Sequence, residues 1–153
     1  MEKGAFISKC GNYRYALHRI WDFNKKPLVF IMLNPSKADA YEDDNTILKI
    51  VKIAKYNGYG GIRVYNLFAL RATNPKKLET HTDPFGRNAE WLSDIPLGVN
   101  IVFAWGANKN AQHIASEVIE HYPDTYCLAI NKNGSPKHPL FCRDDTKLIP
   151  FQQ

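Results

Sequence analysis

Ten residues, Pro27 to Ser36 (PLVFIMLNPS), limit the fold more than any other stretch of the chain. Leu28 to Leu33 is an unbroken apolar run with the length and composition of a β-strand buried on both faces. It runs directly into Asn34-Pro35. Proline has no N–H to give to a strand ladder, so a central strand cannot pass through Pro35 and the chain turns at Asn34. An amide therefore stands at the carboxyl end of a core strand, where open α/β sheets hold their ligands.

Three later stretches read the same way. Ile62 to Leu70 (IRVYNLFAL) is a second buried strand carrying one polar residue, Asn66. Asn100 to Trp105 is a third, ending in Gly106, and Thr125 to Ile130 is a fourth. Helical spacing fills the gaps between them. Asp44 or Asn45 caps a helix that places Ile47, Ile50, Val51 and Ala54 on one face and ends at Gly58. Asp83-Pro84 opens a second helix through Trp91 and Leu92, and Ala111 to His121 forms a third.

Residues 5 to 21 predict an edge hairpin, with strands at Phe6–Ser8 and Tyr13–Trp21 about a turn at Gly11-Asn12. Its second strand interleaves Arg14, His18 and Arg19 with Tyr13, Tyr15 and Trp21. Such a pattern suits a half-buried edge with snorkelling arginines, or a strand that stacks bases and touches phosphate. The whole alternation predicts an α/β protein, a three-layer α/β/α sandwich. Its central four-stranded parallel sheet has right-handed crossovers and an N-terminal edge hairpin, in a single domain over residues 1–153.

Composition narrows the function classes. At 153 residues and 44% hydrophobic, the chain can bury a core, and a mainly disordered chain is excluded. No apolar run reaches the ~20 residues of a membrane span and no leader pattern opens the chain, which predicts a cytoplasmic protein. A net charge of +5 is compatible with a polyanionic partner. Cys10, Cys127 and Cys142 lack metal or disulfide spacing and read as small buried hydrophobes. Glu42, Asp43 and Asp44 favour the positive end of the following helix rather than a metal.

In the predicted topology all four parallel strands end at one edge. Taken singly, Asn66 either braces a loop or reads a ligand, and His138, in the Gly- and Pro-rich stretch 131–145, is either a surface residue or a functional one. Together, Asn34, Asn66, Gly106 and His138 each fall at or just beyond a strand end. That convergence predicts a site.

The same segments, in this order, resemble the uracil-DNA glycosylase superfamily. More closely they resemble a bacterial and phage branch with LNPS (33–36), NLFALRAT (66–73), WG (105–106) and HPL (138–140). The resemblance spans about residues 28 to 140 and implies hydrolysis of an N-glycosidic bond in base-excision DNA repair. It gives Asn34 the role of positioning water and His138 that of stabilising the departing base. Leu33, Ser36, Asn66 and Gly106 would surround the base, with Asn66 reading it and Tyr41 stacking on it. Lys37, Arg71, Lys137 and Leu140 are the expected nucleic-acid contacts, with Leu140 or Phe141 entering the base stack. Ser36 stands where the strictest uracil enzymes carry a bulky tyrosine, which implies room for C5-substituted pyrimidines. The final motif departs from the family in lacking the serine and second proline that usually follow its histidine. The implied partner is DNA, single-stranded or with a flipped base, bound by a monomer without metal or cofactor. Two alternatives remain, a nucleoside or nucleotide N-glycosidase and a non-catalytic nucleic-acid-binding module.

Overall fold

A computed structural model of the chain describes residues 1–81 and 83–151. The elements run β1 (Glu2–Ile7), β2 (Arg14–Ile20), β3 (Pro27–Met32), α1 (Asn45–Tyr56), β4 (Gly61–Asn66), α2 (Lys77–Thr80) and α3 (Asn88–Ser93). They continue with β5 (Asn100–Phe103), α4 (Gln112–His121), β6 (Tyr126–Cys127) and β7 (Ile149–Pro150). The strands form one mixed sheet in the order β1-β2-β4-β3-β5-β6-β7. No helix among the described residues is long and apolar enough to cross a membrane.

The apolar run from Leu28 is the middle of this sheet. β3 pairs in parallel with β4 on one side, from Pro27↔Gly61 to Met32↔Asn66, and with β5 on the other. Alternate side chains serve opposite faces. Leu28, Phe30 and Met32 pack with Ile47, Ile50 and Ile53 of α1. Val29 and Ile31 pack with Leu92 of α3 and with Ala115 and Val118 of α4. The sheet is larger than the four parallel strands expected. β4, β3, β5 and β6 do run parallel as neighbours, but the β1–β2 hairpin pairs antiparallel onto β4 and β7 pairs antiparallel onto β6. The edge hairpin is present as expected, although its first strand starts at Glu2 rather than Phe6. β7 is two residues long and carries no periodicity that a sequence reading could detect.

Several elements are shorter than expected, β5 among them, which ends at Phe103 rather than Trp105. β4 ends at Asn66: Leu67 N and Phe68 N still donate to the Met32 and Leu33 carbonyls at the end of β3, but Ala69 and Leu70 turn away and both donate to Pro84. β6 covers only Tyr126–Cys127 of the expected 125–130. The helix expected from Asp83 begins at Asn88, because the Asp83 carboxylate accepts from Phe85 N and Gly86 N and fixes a turn, with Gly86 at a positive φ of 55°. Cys127 is buried as expected, whereas Cys142 is half-buried and Cys10 is exposed.

The arginines of β2 do not snorkel. Arg19 is fully buried, and each of its five donors has a partner. Nε meets Asp43 Oδ1 at 2.7 Å, Nη1 donates to Gly4 and His18 carbonyls, and Nη2 donates to the carbonyls of Asp39 (2.6 Å) and Glu42 (3.2 Å). Arg14 donates to Ala38 O at 3.0 Å. Arg71 reaches Ser36 O and Lys37 O. The polar loop between β3 and α1 thus has its carbonyls held by arginines from two other segments. Removing one partner from such a buried pair leaves the rest uncompensated, at a cost of about 3 kcal/mol. Arg19→Met is therefore expected to lower the unfolding free energy by about that amount in denaturant titrations. The same change should strip hydrogen-exchange protection from the loop amides of Tyr41 and Glu42, and a loss confined to a few tenths of a kcal/mol would contradict the clamp.

Candidate active site at the carboxyl ends of the parallel strands

A cavity of about 380 Å³ opens beside the N-terminus of α1, in the lower part of the size range of ligand pockets. Met32 of β3, Val64 of β4 and Ile47 of α1 give it apolar walls. Asn34, from the turn after β3, Asn66, at the end of β4, and His138, in the loop beyond β6, all line it. Residues far apart along the chain therefore meet around one hollow.

Asn34 and His138 are each held in a defined state, while Asn66 is held by its backbone alone. Asn34 Nδ2 donates to Pro35 O at 3.0 Å and to Ala72 O at 2.8 Å. Two carbonyl partners fix which amide atom is nitrogen and leave Oδ1 as a free acceptor. Asn66 is 1% exposed, and neither its Oδ1 nor its Nδ2 has a partner. Its backbone, in contrast, is firmly held, since Asn88 Nδ2 donates to Asn66 O at 2.6 Å and to Leu67 O at 3.1 Å. His138 caps the 3₁₀ turn Pro139–Phe141, and its Nδ1 accepts from Leu140 N at 3.2 Å. An accepting Nδ1 leaves the proton of the neutral ring on Nε2. Burial lowers the imidazole's affinity for a second proton, and the charge of Asp44 acts the other way without overcoming it.

Two charged residues complete the lining. Asp44 caps α1, its Oδ1 accepting from Ile47 N at 3.0 Å and its Oδ2 from Ala38 N at 3.3 Å. It is the carboxylate among the described lining residues. Arg14 is 3% exposed and lines the same space. Asp44 is not among the expected site residues, and Arg14 is expected only as part of a half-buried edge strand or one that touches nucleic acid. Asp44 carried only a capping signal, which was correct as far as it went. Arg14 reaches the cavity through a long-range contact, its N–H donating to Ala69 O, that no local pattern encodes.

Of the other expected contacts, Leu33, Ser36, Lys37 and Leu140 also line the cavity, with Ser36 Oγ 3.3 Å from Thr73 Oγ1. Tyr41, Gly106, Arg71 and Lys137 do not. Tyr41 is 80% exposed, because the Asp39 carboxylate accepts from Tyr41 N and Glu42 N and turns the ring outward. None of the described lining residues is Phe, Tyr or Trp, so the stacking role expected of Tyr41 has no aromatic in this cavity. Gly106 lies in a neighbouring cleft at φ +82°, and its N–H donates to Pro136 O at 2.9 Å. It steadies the loop that carries His138 and touches no cavity space itself. Arg71 is spent on Ser36, Lys37 and Gly11 carbonyls. Among the described residues no group of three or more His, Cys, Asp or Glu is arranged to hold a metal ion.

Fold and cavity together define an α/β protein with a polar, asparagine-rich site at the carboxyl ends of its parallel strands. The chain belongs to the family described as protein of unknown function DUF1643, whose model matches residues 14–140. That span takes in Arg14, Asn34, Asp44, Asn66, His138 and Leu140 alike. No curated protein and no solved structure matches the chain.

The histidine environment has a direct readout. In an NMR titration the His138 ring is expected to take its second proton below the ordinary 6.5. Asp44→Asn, which keeps a capping side chain but removes the charge, should lower the titration point further. A midpoint above 6.5 would contradict the burial of the ring.

Proposed function

We propose that the chain is an N-glycosidic-bond hydrolase of the DNA-glycosylase type, removing uracil or a modified pyrimidine. The observation that carries the reading is the Asn66 side chain, fully buried at a cavity wall with both amide atoms unpaired. A buried polar atom left without a partner costs about 1–3 kcal/mol, so this site favours a ligand presenting one donor beside one acceptor. Uracil N3–H and O4 form such a pair, whereas cytosine presents the reverse pattern.

The remaining groups fit the chemistry. Cleavage leaves oxocarbenium character on the sugar and negative charge on the base. Asn34 Oδ1 is free to orient a water molecule toward C1′, although an amide cannot take its proton. Asp44 lines the same cavity and supplies a carboxylate that can. His138, neutral and protonated on Nε2, donates to base O2, where charge appears only in the transition state. Ser36 at the cavity wall leaves room at C5, in keeping with the resemblance to glycosylases that lack a bulky residue there.

The exposed turn beside the cavity supports DNA. A base inside a duplex is out of reach and must be flipped or already unpaired. The turn that carries His138 also presents Leu140 and Phe141, 47% and 79% exposed, beside the cavity. Apolar residues so placed suit a wedge between bases. The four parallel neighbours within the mixed seven-stranded sheet support the α/β part of this reading. A monomer acting in cytoplasmic base-excision repair follows from the same reading. A nucleoside or nucleotide N-glycosidase is the second reading, favoured by the modest size of the cavity.

Incubation with uracil- and hydroxymethyluracil-containing oligonucleotides, single- and double-stranded, should release free base and leave abasic sites. Asn34→Ala and His138→Ala should each lower kcat by about 10²-fold with little change in DNA binding. Release from monomers only would select the second reading. Absence of product across the panel, or full activity in both variants, would remove the assignment.

A further inference from the structure

Arg14 has no role in the chemistry above, yet its surroundings are unusual. Arg14 and Arg19 lie on the same strand and are equally buried, and the fold treats them differently. Every donor of Arg19 is matched. Arg14 makes one side-chain hydrogen bond, from Nη1 to Ala38 O, and its Nε is buried with no partner. Arg14 and Asn66, both with unpaired buried polar atoms, line the same cavity. Burial pulls the Arg14 guanidinium down to about 10, so it stays charged at neutral pH while short of acceptors. The Asp44 carboxylate supports that charge, and Arg71 and Arg19 oppose it. His138 and Lys37 are the other ionisable groups on the cavity wall. A buried cation so poorly matched is set up to receive negative charge from a ligand.

We propose that Arg14 reads charge on the departing pyrimidine, so that the cavity binds an ionised base more tightly than a neutral one. This rests on the hydrolase reading given above. As the C1′–N1 bond breaks, its electron pair leaves with the base and spreads over N1 and O2. The water oxygen bonds to C1′, and the water proton passes to Asp44 and on to solvent. The base anion, held against Arg14, picks up a proton from solvent on release. Arg14 thereby acts on the same charge as His138, which lines the same cavity.

The test uses free bases and needs no turnover. Uracil and 5-fluorouracil differ little in shape, but fluorine makes the ring more acidic. In calorimetric titrations of the unmodified chain, affinity for 5-fluorouracil should rise about tenfold between about pH 7 and about pH 9 as the ring ionises. Uracil should gain less over the same interval. Arg14→Gln should abolish the rise and Arg14→Lys should keep most of it, while thermal unfolding reports whether either variant is folded. If Arg14→Gln does not fold, the pH series on the unmodified chain decides alone. A 5-fluorouracil affinity that stays flat or falls with pH, or an unchanged rise in folded Arg14→Gln, overturns the role of Arg14 while base recognition by Asn66 stands. Failure of the unmodified chain to bind either base overturns both.

Discussion

The site depends on carbonyl groups of one loop being held by guanidinium donors. After β3 the backbone must cross from the sheet to the start of α1 through a stretch with no regular structure. Of its carbonyls at Ser36, Lys37, Ala38, Asp39 and Glu42, all but the last, which also accepts from Asp39 N, would otherwise need water. Instead Arg71 takes the first two, Arg14 the third and Arg19 the last two. Asp43 neutralises Arg19 from the same loop. Its carboxyl sits below the usual value: burial works to raise it, and hydrogen bonds from Arg19 and Lys3 more than offset that. An irregular segment so fixed can serve as a cavity wall, because a wall that moves by an ångström loses most of its value to catalysis.

The position of the cavity follows from sheet order. β3 lies between β4 and β5, and the helices that follow β3 and β4 pack on opposite faces. Loops leaving neighbouring strands in opposite directions open a crevice at their carboxyl ends. Asn34 and Asn66 stand at the two lips of that crevice because Met32 and Asn66 are partners in the β3–β4 ladder. His138 arrives separately, on a loop whose own hydrogen bonds, Lys137 N to Ala129 O and Gly106 N to Pro136 O, tie it to the ends of β5 and β6. Gly106 matters here as a backbone position. Its positive φ lets the chain turn there, and a Cβ at that position would lie 3.5 Å from His138 Cβ.

Much of this was legible in the sequence, and the reasons for the remainder are physical. Apolar runs bounded by proline or glycine report buried parallel strands, and the polar residue that ends each run reports the edge where ligands bind. Asn34 ends its run and follows that logic directly, whereas Asn66, inside its predicted run, and His138, in a loop, join it only through the convergence of strand ends on one cavity. Arg14 escaped it because a basic residue between aromatics reads as surface, and only tertiary pairing of β2 with β4 and the 67–72 loop turns it inward. Asp44 escaped it because one side chain can satisfy a capping rule and face a cavity at once. Tyr41 failed for a related reason. Proximity to a motif says nothing of ring direction, which the Asp39 turn decides. β7 and the brace from Asn88 depend wholly on contacts distant in sequence.

A cavity without an aromatic platform must grip a planar base by its edges rather than its faces. Stacking contributes about 1–3 kcal/mol per base where an aromatic is available. Here the apolar contacts are aliphatic, from Met32, Leu33 and Leu140, and they shape the slot without strong directional preference. Discrimination in the proposed reaction therefore falls on in-plane polar groups: Asn66 against the N3–O4 edge, His138 against O2, and Arg14 wherever charge gathers. Such a division suits a cleavage whose transition state is mostly charge separation. Edge contacts strengthen as the base becomes anionic, whereas face contacts stay nearly constant. Binding energy drawn from edges is then larger in the transition state than in the ground state, which is the condition for it to accelerate the reaction.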